Sequence, residues 1–468
     1  MDNAAFTEKL LKLSGDREYM YDSLAGRTYT YDDVWKSAYA FAEGLKKSGS
    51  DGFAVVLENS AELFILYHAA MLANMTMVPI DPHKSESEID SILKENAGRP
   101  VIRKPEDIPE DTREVSSEDI ARAVTDIDYD RDYIVTYTSG STGFPKGVRH
   151  KLRSLLLTAE SFGNAVGLDE KRTMCHVMPM TYMAGILNTI LMPLIRGCRT
   201  VIMPRFDVMS AIRFWKTAEK YGVDSFWLSP TMLNILMTVD RRGDGKKYLS
   251  SIDPLFFIGT APLFETLRNR FESLYEVKLL QSYGLSETLF LSTEMPGRES
   301  PASAVGFLLP EVDMKLSTEG EIMIDVPWMF KGYTNDDTDA YFNGSYYLTG
   351  DMGRSDDGIL SITGRIKDLI IKGGMNISPK QIEDCILKHC GIDECAVSGV
   401  TIDDEERIVC WYVSSDEKDE NAMNTVIGKE LGKHCCIDRF EKVSSVPKNI
   451  NGKPDKKALV AEYKDRIS

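Results

Sequence analysis

Tyr137-Thr-Ser-Gly-Ser-Thr-Gly-Phe-Pro-Lys-Gly-Val148 sets three glycines, five hydroxyl-bearing side chains and one lysine within twelve residues. An apolar run, Tyr133-Ile-Val-Thr136, leads in. A second run leads out, with Leu152, Leu155, Leu156, Ala159 and Phe162 at three-to-four spacing. The spacing predicts strand, glycine-rich loop and helix, a layout that turns backbone N–H groups and a positive helix end towards a phosphate. Thr138, Ser139, Gly140, Ser141, Thr142 and Gly143 form the candidate cradle, and Lys146 adds charge for the outer phosphates. A Walker-type loop is excluded, because Gly140-Ser-Thr-Gly-Phe-Pro lacks the second glycine and the Gly-Lys-Ser/Thr ending. A flexible Ser/Gly linker is the plainer alternative, but such linkers rarely carry a Pro-Lys-Gly exit between two apolar runs.

Working towards the N-terminus, strand and helix patterns alternate. Thr30-Tyr-Asp-Asp33 reads as a helix cap with acids in the first turn, followed by an apolar face of Val34, Ala38, Phe41 and Leu45 and a stop at Ser48-Gly49. Gly52–Leu57 and Met75–Ile80 read as strands, Ala61–Ala73 and Glu86–Glu95 as helices, and Val101-Ile102 as a short strand. Such alternation predicts a parallel sheet with covered faces. Residues 103–131, rich in charge and proline, read as a connector.

Towards the C-terminus, Thr200–Met203, Phe226–Leu228 and Leu255–Ile258 read as further buried strands. Ser229-Pro-Thr-Met232 and Gly259-Thr-Ala-Pro-Leu263 follow the last two, at the strand ends where α/β sheets hold ligands. From Gly306 the texture changes to a hairpin, Val312–Leu316 and Glu321–Val326, followed by Gly332-Tyr333 and Tyr346-Tyr-Leu-Thr-Gly-Asp351. In Gln281-Ser-Tyr-Gly-Leu-Ser-Glu-Thr288, Tyr283 offers a ring for stacking, Gly284 a close backbone approach and Glu287 an oxygen for Mg2+.

The totals fit two or three domains, since 468 residues exceed one simple core. A formal net charge of −17 argues against nucleic-acid and anionic-membrane surfaces. The N-terminus shows no basic segment followed by an apolar core, and no run approaches a spanning helix, so the cytoplasm is the expected location. Eight cysteines form no Cys-x-x-Cys pair, and His434-Cys435-Cys436 has no second ligand pair, so these read as ordinary thiols.

The loop closely resembles the signature of the AMP-forming adenylating enzymes: acyl- and aryl-CoA synthetases, peptide-synthetase adenylation domains and luciferases. Further motifs follow in that family's order. Gln281–Thr288 resembles its Tyr-Gly-x-Thr-Glu motif, with Ser286 in place of threonine. Tyr-x-Thr-Gly-Asp351 resembles the stretch whose carboxylate takes the ribose hydroxyls, Arg365 the ribose- and phosphate-contacting arginine, and Lys367 the hinge residue. Gly373-Gly374 stand where the family passes the pantetheine arm of coenzyme A. Val446-Pro-Lys-Asn-Ile-Asn-Gly-Lys-Pro-Asp-Lys-Lys457 is similar to the family's Pro-x-x-x-x-Gly-Lys motif, which makes Lys453 the lysine shared by carboxylate and α-phosphate. Met178–Gly185 resembles the segment beside the carboxylate pocket, with Tyr182 where many acyl-CoA synthetases have histidine.

The resemblance implies an α/β fold. It has a large N-terminal domain (1–364) of αβ layered subdomains with a small β-barrel-like subdomain, a hinge (365–368) and a small mobile α+β C-terminal domain (369–468). The implied catalytic residues are Lys453, Glu287 and Lys146, with Glu287 on the metal. ATP would be held by Thr138–Gly143, Lys146, Gly259, Thr260, Ala261, Ser282, Tyr283, Gly284, Ser286, Asp351, Arg365 and Lys453. Tyr182, Met183, Gly185 and Ser282 would line the acyl pocket. The implied reaction makes an acyl-adenylate from a small carboxylic acid, ATP and Mg2+, then transfers the acyl group to coenzyme A. The alternative acceptor is the phosphopantetheine of a carrier protein, which the Pro454-Asp-Lys-Lys457 ending favours.

Overall fold

Period-two alternation builds the architecture. In a computed structural model of the chain, describing residues 2–111, 114–138, 145–372, 375–402, 405–448 and 454–467, successive strand residues enter different cores. Met174, Trp227 and Phe257 join one cluster, while Cys175, Phe226, Phe256 and Ile258 join another on the opposite face of the same sheet. In a second sheet, Phe53, Val55, Met77 and Ile134 face the shared cluster, and Ala54, Val78 and Val135 face away.

Two sheets thus enclose a middle layer of buried helices. Ala61–Ala73 is buried at every position but Glu62, as expected for a helix apolar all round. Leu152–Ala165 and the helical segment Met183–Arg196 pack beside it. Phe214–Tyr221, Pro230–Val239 and Glu265–Tyr275 cover the outer face of the first sheet, and Glu86–Glu95 that of the second. The expected Thr30 cap is present: Asp33 N–H donates to Thr30 Oγ1 at 3.1 Å, and Thr30 N–H donates to Asp33 Oδ2 at 2.9 Å.

The first sheet changes character along its width. Glu18–Asp22, Arg199–Ile202, Thr173–His176, Ser225–Leu228, Leu255–Ile258 and Leu279–Leu285 run parallel. Beyond Leu279–Leu285 the pairing is antiparallel, through Leu289–Thr293, Phe307–Leu308, Ile359–Arg365, Tyr346–Asp356, Glu321–Asp325 and Asp313–Leu316. The hairpin region is therefore continuous with the parallel half. Residues 370–463 form cores of their own around helices Pro379–His389, Glu420–Glu430 and Lys456–Ile467. They meet the larger part where Ser378 Oγ donates to Thr363 O at 2.7 Å and Phe264 packs on their core.

Two expectations are corrected. The glycine-rich loop does not open into a helix. Its exit is the strand Lys146–Lys151, paired antiparallel with Asp132–Thr138 so that Thr138 faces Lys146. Val148 and His150 alternate inward there, a strand period, and the helix begins only at Leu152. The connector 103–131 also holds a helix, Ser117–Thr125, capped by Ser116 and Asp119 and burying Ala123 and Val124.

Candidate active site

Leu279–Leu285 turns back on Leu289–Thr293 through Ser286-Glu287-Thr288, which puts Glu287 at the tip of a tight hairpin. Gly284 is required there, because a Cβ would lie 1.9 Å from Leu289 O. The tip is fastened from three sides. Phe330 N–H donates to Glu287 O at 3.0 Å, Trp328 Nε1 to Thr288 O at 2.9 Å, and His150 Nε2 to Ser286 O at 2.6 Å. Glu287 is half-buried, and burial pushes its carboxyl above the ordinary value. The Tyr333 hydroxyl opposes that shift by donating to Oε1 at 2.8 Å. A hard oxygen donor with its second oxygen outside that bond suits Mg2+, which takes one or two carboxylates and completes its shell with phosphate and water.

Asp351 gathers residues that the motifs lead one to expect around a nucleoside. It lies opposite Arg365 in the hairpin of Tyr346–Asp356 with Ile359–Arg365. Arg365 Nε is 2.6 Å from its Oδ1, and Tyr283 Oη donates to its Oδ2 at 2.7 Å. The carboxylate is 2 % exposed. Its turn is tied by Gly350 N–H to Glu321 Oε1 at 2.9 Å and by Thr349 Oγ1 to Ile322 O at 2.7 Å. Three residues, taken from three sequence motifs, thus share one hydrogen-bonded cluster. Burial works against the Arg365 charge, yet the Asp351 carboxylate outweighs it and holds the guanidinium above its ordinary range.

Lys146 at the loop exit reaches Asp336 and the Tyr341 hydroxyl, and its ammonium stands 5.5 Å from the Tyr333 ring centroid and 4.8 Å from that of Tyr341. Burial disfavours its charge, but Asp336 and Tyr341 more than compensate and raise its pKa. Asn335 Nδ2 donates to Pro145 O at 3.1 Å and Thr334 N–H to Gly147 O at 2.9 Å, so the segment after Gly332 is laced to the loop exit.

Gly259 follows the strand Leu255–Ile258, and a Cβ added there would lie 3.0 Å from Ser282 Oγ. Thr260 adopts φ +70°, a conformation β-branched residues rarely tolerate, which marks strain at this strand end. Ala261 continues that loop. Tyr182 is half-buried, and burial first, then the Glu287 charge, raises its phenol while Arg365 opposes. The candidate acyl segment therefore lies within electrostatic reach of Glu287 and Arg365. Met183 is buried in the middle layer, and Gly185 passes Pro179 O so closely that a Cβ would lie 2.0 Å away. Ser139, Gly140, Ser141, Thr142, Gly143, Gly373, Gly374 and Lys453 lie outside the described residues; Lys448 and Pro454 pair as an antiparallel bridge. Lys367 lies in the short turn Ile366–Asp368 that follows the strand ending at Arg365.

Sequence reasoning missed several supports. Asn59 Nδ2 donates to Met178 O at 2.7 Å, its Oδ1 accepts from Met180 N–H at 2.8 Å, and Tyr67 Oη donates to Met180 O at 2.5 Å. His150, Asp336 and Tyr341 were not singled out, and no local pattern marks them; Tyr333 was noted only as part of Gly332-Tyr333.

The family model for AMP-binding enzymes matches residues 7–334, and that for the AMP-binding enzyme C-terminal domain matches 381–453. The chain belongs to the AMP-binding enzyme family. Within it, the chain is 27% identical over 452 residues to a long-chain-fatty-acid–CoA ligase of Mycobacterium tuberculosis, covering 88% of each. It is 27% identical over 487 residues to a 2-succinylbenzoate–CoA ligase of Bacillus licheniformis, covering 97% of this chain and 98% of the relative. The fold of this AMP-binding enzyme superposes on ATP-bound MatB from Rhodopseudomonas palustris with a TM-score of 0.86 at 23% identity, covering 100% of both chains. Among the described residues, no helix is long and apolar enough to cross a membrane.

Proposed function

We propose that this AMP-binding enzyme activates a carboxylic acid with ATP, forming an acyl-adenylate and pyrophosphate, and then passes the acyl group to the thiol of coenzyme A. The observation that carries the reading is the cluster of Tyr283, Asp351 and Arg365 beside the hairpin that bears Glu287. On this reading Tyr283 is a stacking ring, Asp351 an acceptor for two vicinal hydroxyls, Arg365 a phosphate cation and Glu287 a metal carboxylate.

A carboxylate is a poor electrophile, and joining it to phosphate makes a good leaving group. The enzyme must hold two anions in line and neutralise charge on the α-phosphate. Asp351 accepts from the ribose hydroxyls, and Tyr283 stacks on the base. Lys146 and the 138–143 loop take the β- and γ-phosphates, which depart as pyrophosphate when the carboxylate oxygen attacks the α-phosphorus. Glu287 would hold Mg2+, which would supply positive charge to offset that of the phosphates. Lys453 sits between the carboxylate and the α-phosphate. Gly259, Thr260 and Ala261, with Ser282, Gly284 and Ser286, shape the backbone around the nucleotide. Tyr182, Met183 and Gly185 border the acid.

The second half-reaction brings a thiol to the same acyl carbon. We assign 1–364 and 369–468 as two domains that reorient about 365–368, with Lys367 as hinge and Gly373-Gly374 passing the pantetheine arm. Coenzyme A is the preferred acceptor, since the relatives aligned along nearly their whole length are coenzyme A ligases. Their acids differ widely, so the substrate here is assigned only as a carboxylic acid. The test is exchange of labelled pyrophosphate into ATP across fatty, aryl and dicarboxylic acids. Exchange that depends on one acid class supports adenylation, and exchange with none of them, in a sample that binds ATP, rejects it.

A further inference from the structure

Tyr333 stands where the two candidate phosphate-side groups meet. Its hydroxyl donates to Glu287 Oε1 at 2.8 Å and lies 3.0 Å from Tyr347 Oη, which fixes the direction of the O–H. Its ring lies 5.5 Å from the Lys146 ammonium. Its backbone is equally fixed: the strand Gly332–Tyr333 pairs with the loop-exit strand, Tyr333 opposite Val148, and Thr338 Oγ1 accepts the Tyr333 N–H at 2.9 Å. Phe330 and Tyr341 meet the ring edge-on at 4.9 and 5.1 Å. The side chain is buried, 7 % exposed.

We propose that Tyr333 is a positioning residue that holds the Glu287 carboxylate in the orientation needed to take Mg2+ and keeps Lys146 at a set distance from it. This rests on the ATP-dependent reading above. One phenol does two jobs with different atoms. The hydroxyl restrains a carboxylate that would otherwise rotate at a hairpin tip, leaving Oε2 for the metal. The ring face gives the lysine an apolar, electron-rich wall opposite Asp336.

The roles separate by substitution. Equilibrium binding of ATP to the full chain is measured at saturating Mg2+ and again in EDTA, so the ratio of the two affinities reads the metal-dependent part without turnover. Tyr333→Phe keeps the ring and removes the hydroxyl. Its ratio falls about tenfold, the worth of one hydrogen bond to a charged group, while the EDTA affinity stays at the wild-type value. Tyr333→Leu also removes the ring, and its EDTA affinity falls as well. Tyr347→Phe, which frees the Tyr333 hydroxyl, moves the ratio in the same direction by less and serves if Tyr333→Phe melts early. A Tyr333→Phe or, failing that, Tyr347→Phe protein with the wild-type ratio overturns the proposal alone. Wild type that binds no ATP overturns the functional reading and this proposal with it.

Discussion

Replacing Asp351 by asparagine keeps its shape and removes its charge. The side chain is 2 % exposed and receives Tyr283 Oη at 2.7 Å and Arg365 Nε at 2.6 Å. Removing one partner of a fully buried pair costs about 3–5 kcal/mol, but Arg365 keeps 38% of its side chain in solvent and is rehydrated there, so about 2 kcal/mol of folding stability is the expected loss. The nucleotide loses more. Two ribose hydroxyls that would donate to a carboxylate donate instead to a neutral amide oxygen, and the two charge-assisted bonds are together worth about 3 kcal/mol or more over their neutral counterparts, a loss of at least about 100-fold in ATP affinity. Calorimetric titration of ATP into Asp351→Asn, checked by melting and circular dichroism to be folded, measures it. An affinity within about threefold of wild type would refute the ribose assignment, since no geometry that uses Asp351 survives so small a change.

Lys453→Ala is expected to slow pyrophosphate exchange by about 10²–10³-fold or more while ATP binding changes little, because the charge acts mainly in the transition state; equal losses in both would show a ground-state role instead. Lys367→Pro, at the turn after Arg365, is expected to leave pyrophosphate exchange intact and suppress thioester formation, and unimpaired thioester formation would count against the hinge. His68, His150 and His176 are buried, with burial lowering each to about 4 from an ordinary 6.5. Between those values the unfolded chain takes protons that the fold refuses, so stability is full above pH 6.5 and falls as pH drops, by about 1.4 kcal/mol per pH unit for each histidine. Burial raises Glu287 and Glu383, which offsets part of this at the acid end. Urea midpoints at pH 7 and pH 5 check the sign, and a higher midpoint at pH 5 would contradict it.

Local chemistry was legible and long-range support was not. Ala61–Ala73 and Glu86–Glu95 begin and end where caps and apolar runs place them, and the 313–325 hairpin follows its alternation. The loop exit was misread because Leu152–Phe162 is strongly helical and drew the helix forward, although Lys146–Lys151 carries its own period of two. The helix Ser117–Thr125 was hidden by the charge around it. For the candidate site, Tyr283, Asp351 and Arg365 were each named from motifs, and the structure adds that they touch. Their supports sit far off in sequence: Tyr333 is 46 residues from Glu287, Tyr67 113 from Met180, and His150 136 from Ser286. A single tyrosine or histidine in a strand or helix carries no periodicity that announces such a contact.

The central claim is tested most directly by counting pyrophosphate released per enzyme molecule from ATP and Mg2+ with the acid that supports exchange, before and after adding coenzyme A. The account predicts release near one equivalent without coenzyme A and many turnovers with it, accompanied by AMP and an acyl thioester. Release that stays near one equivalent with coenzyme A present would contradict the acceptor and point to a carrier-protein thiol. Release that yields ADP and phosphate, or that ignores the acid, would contradict adenylation itself.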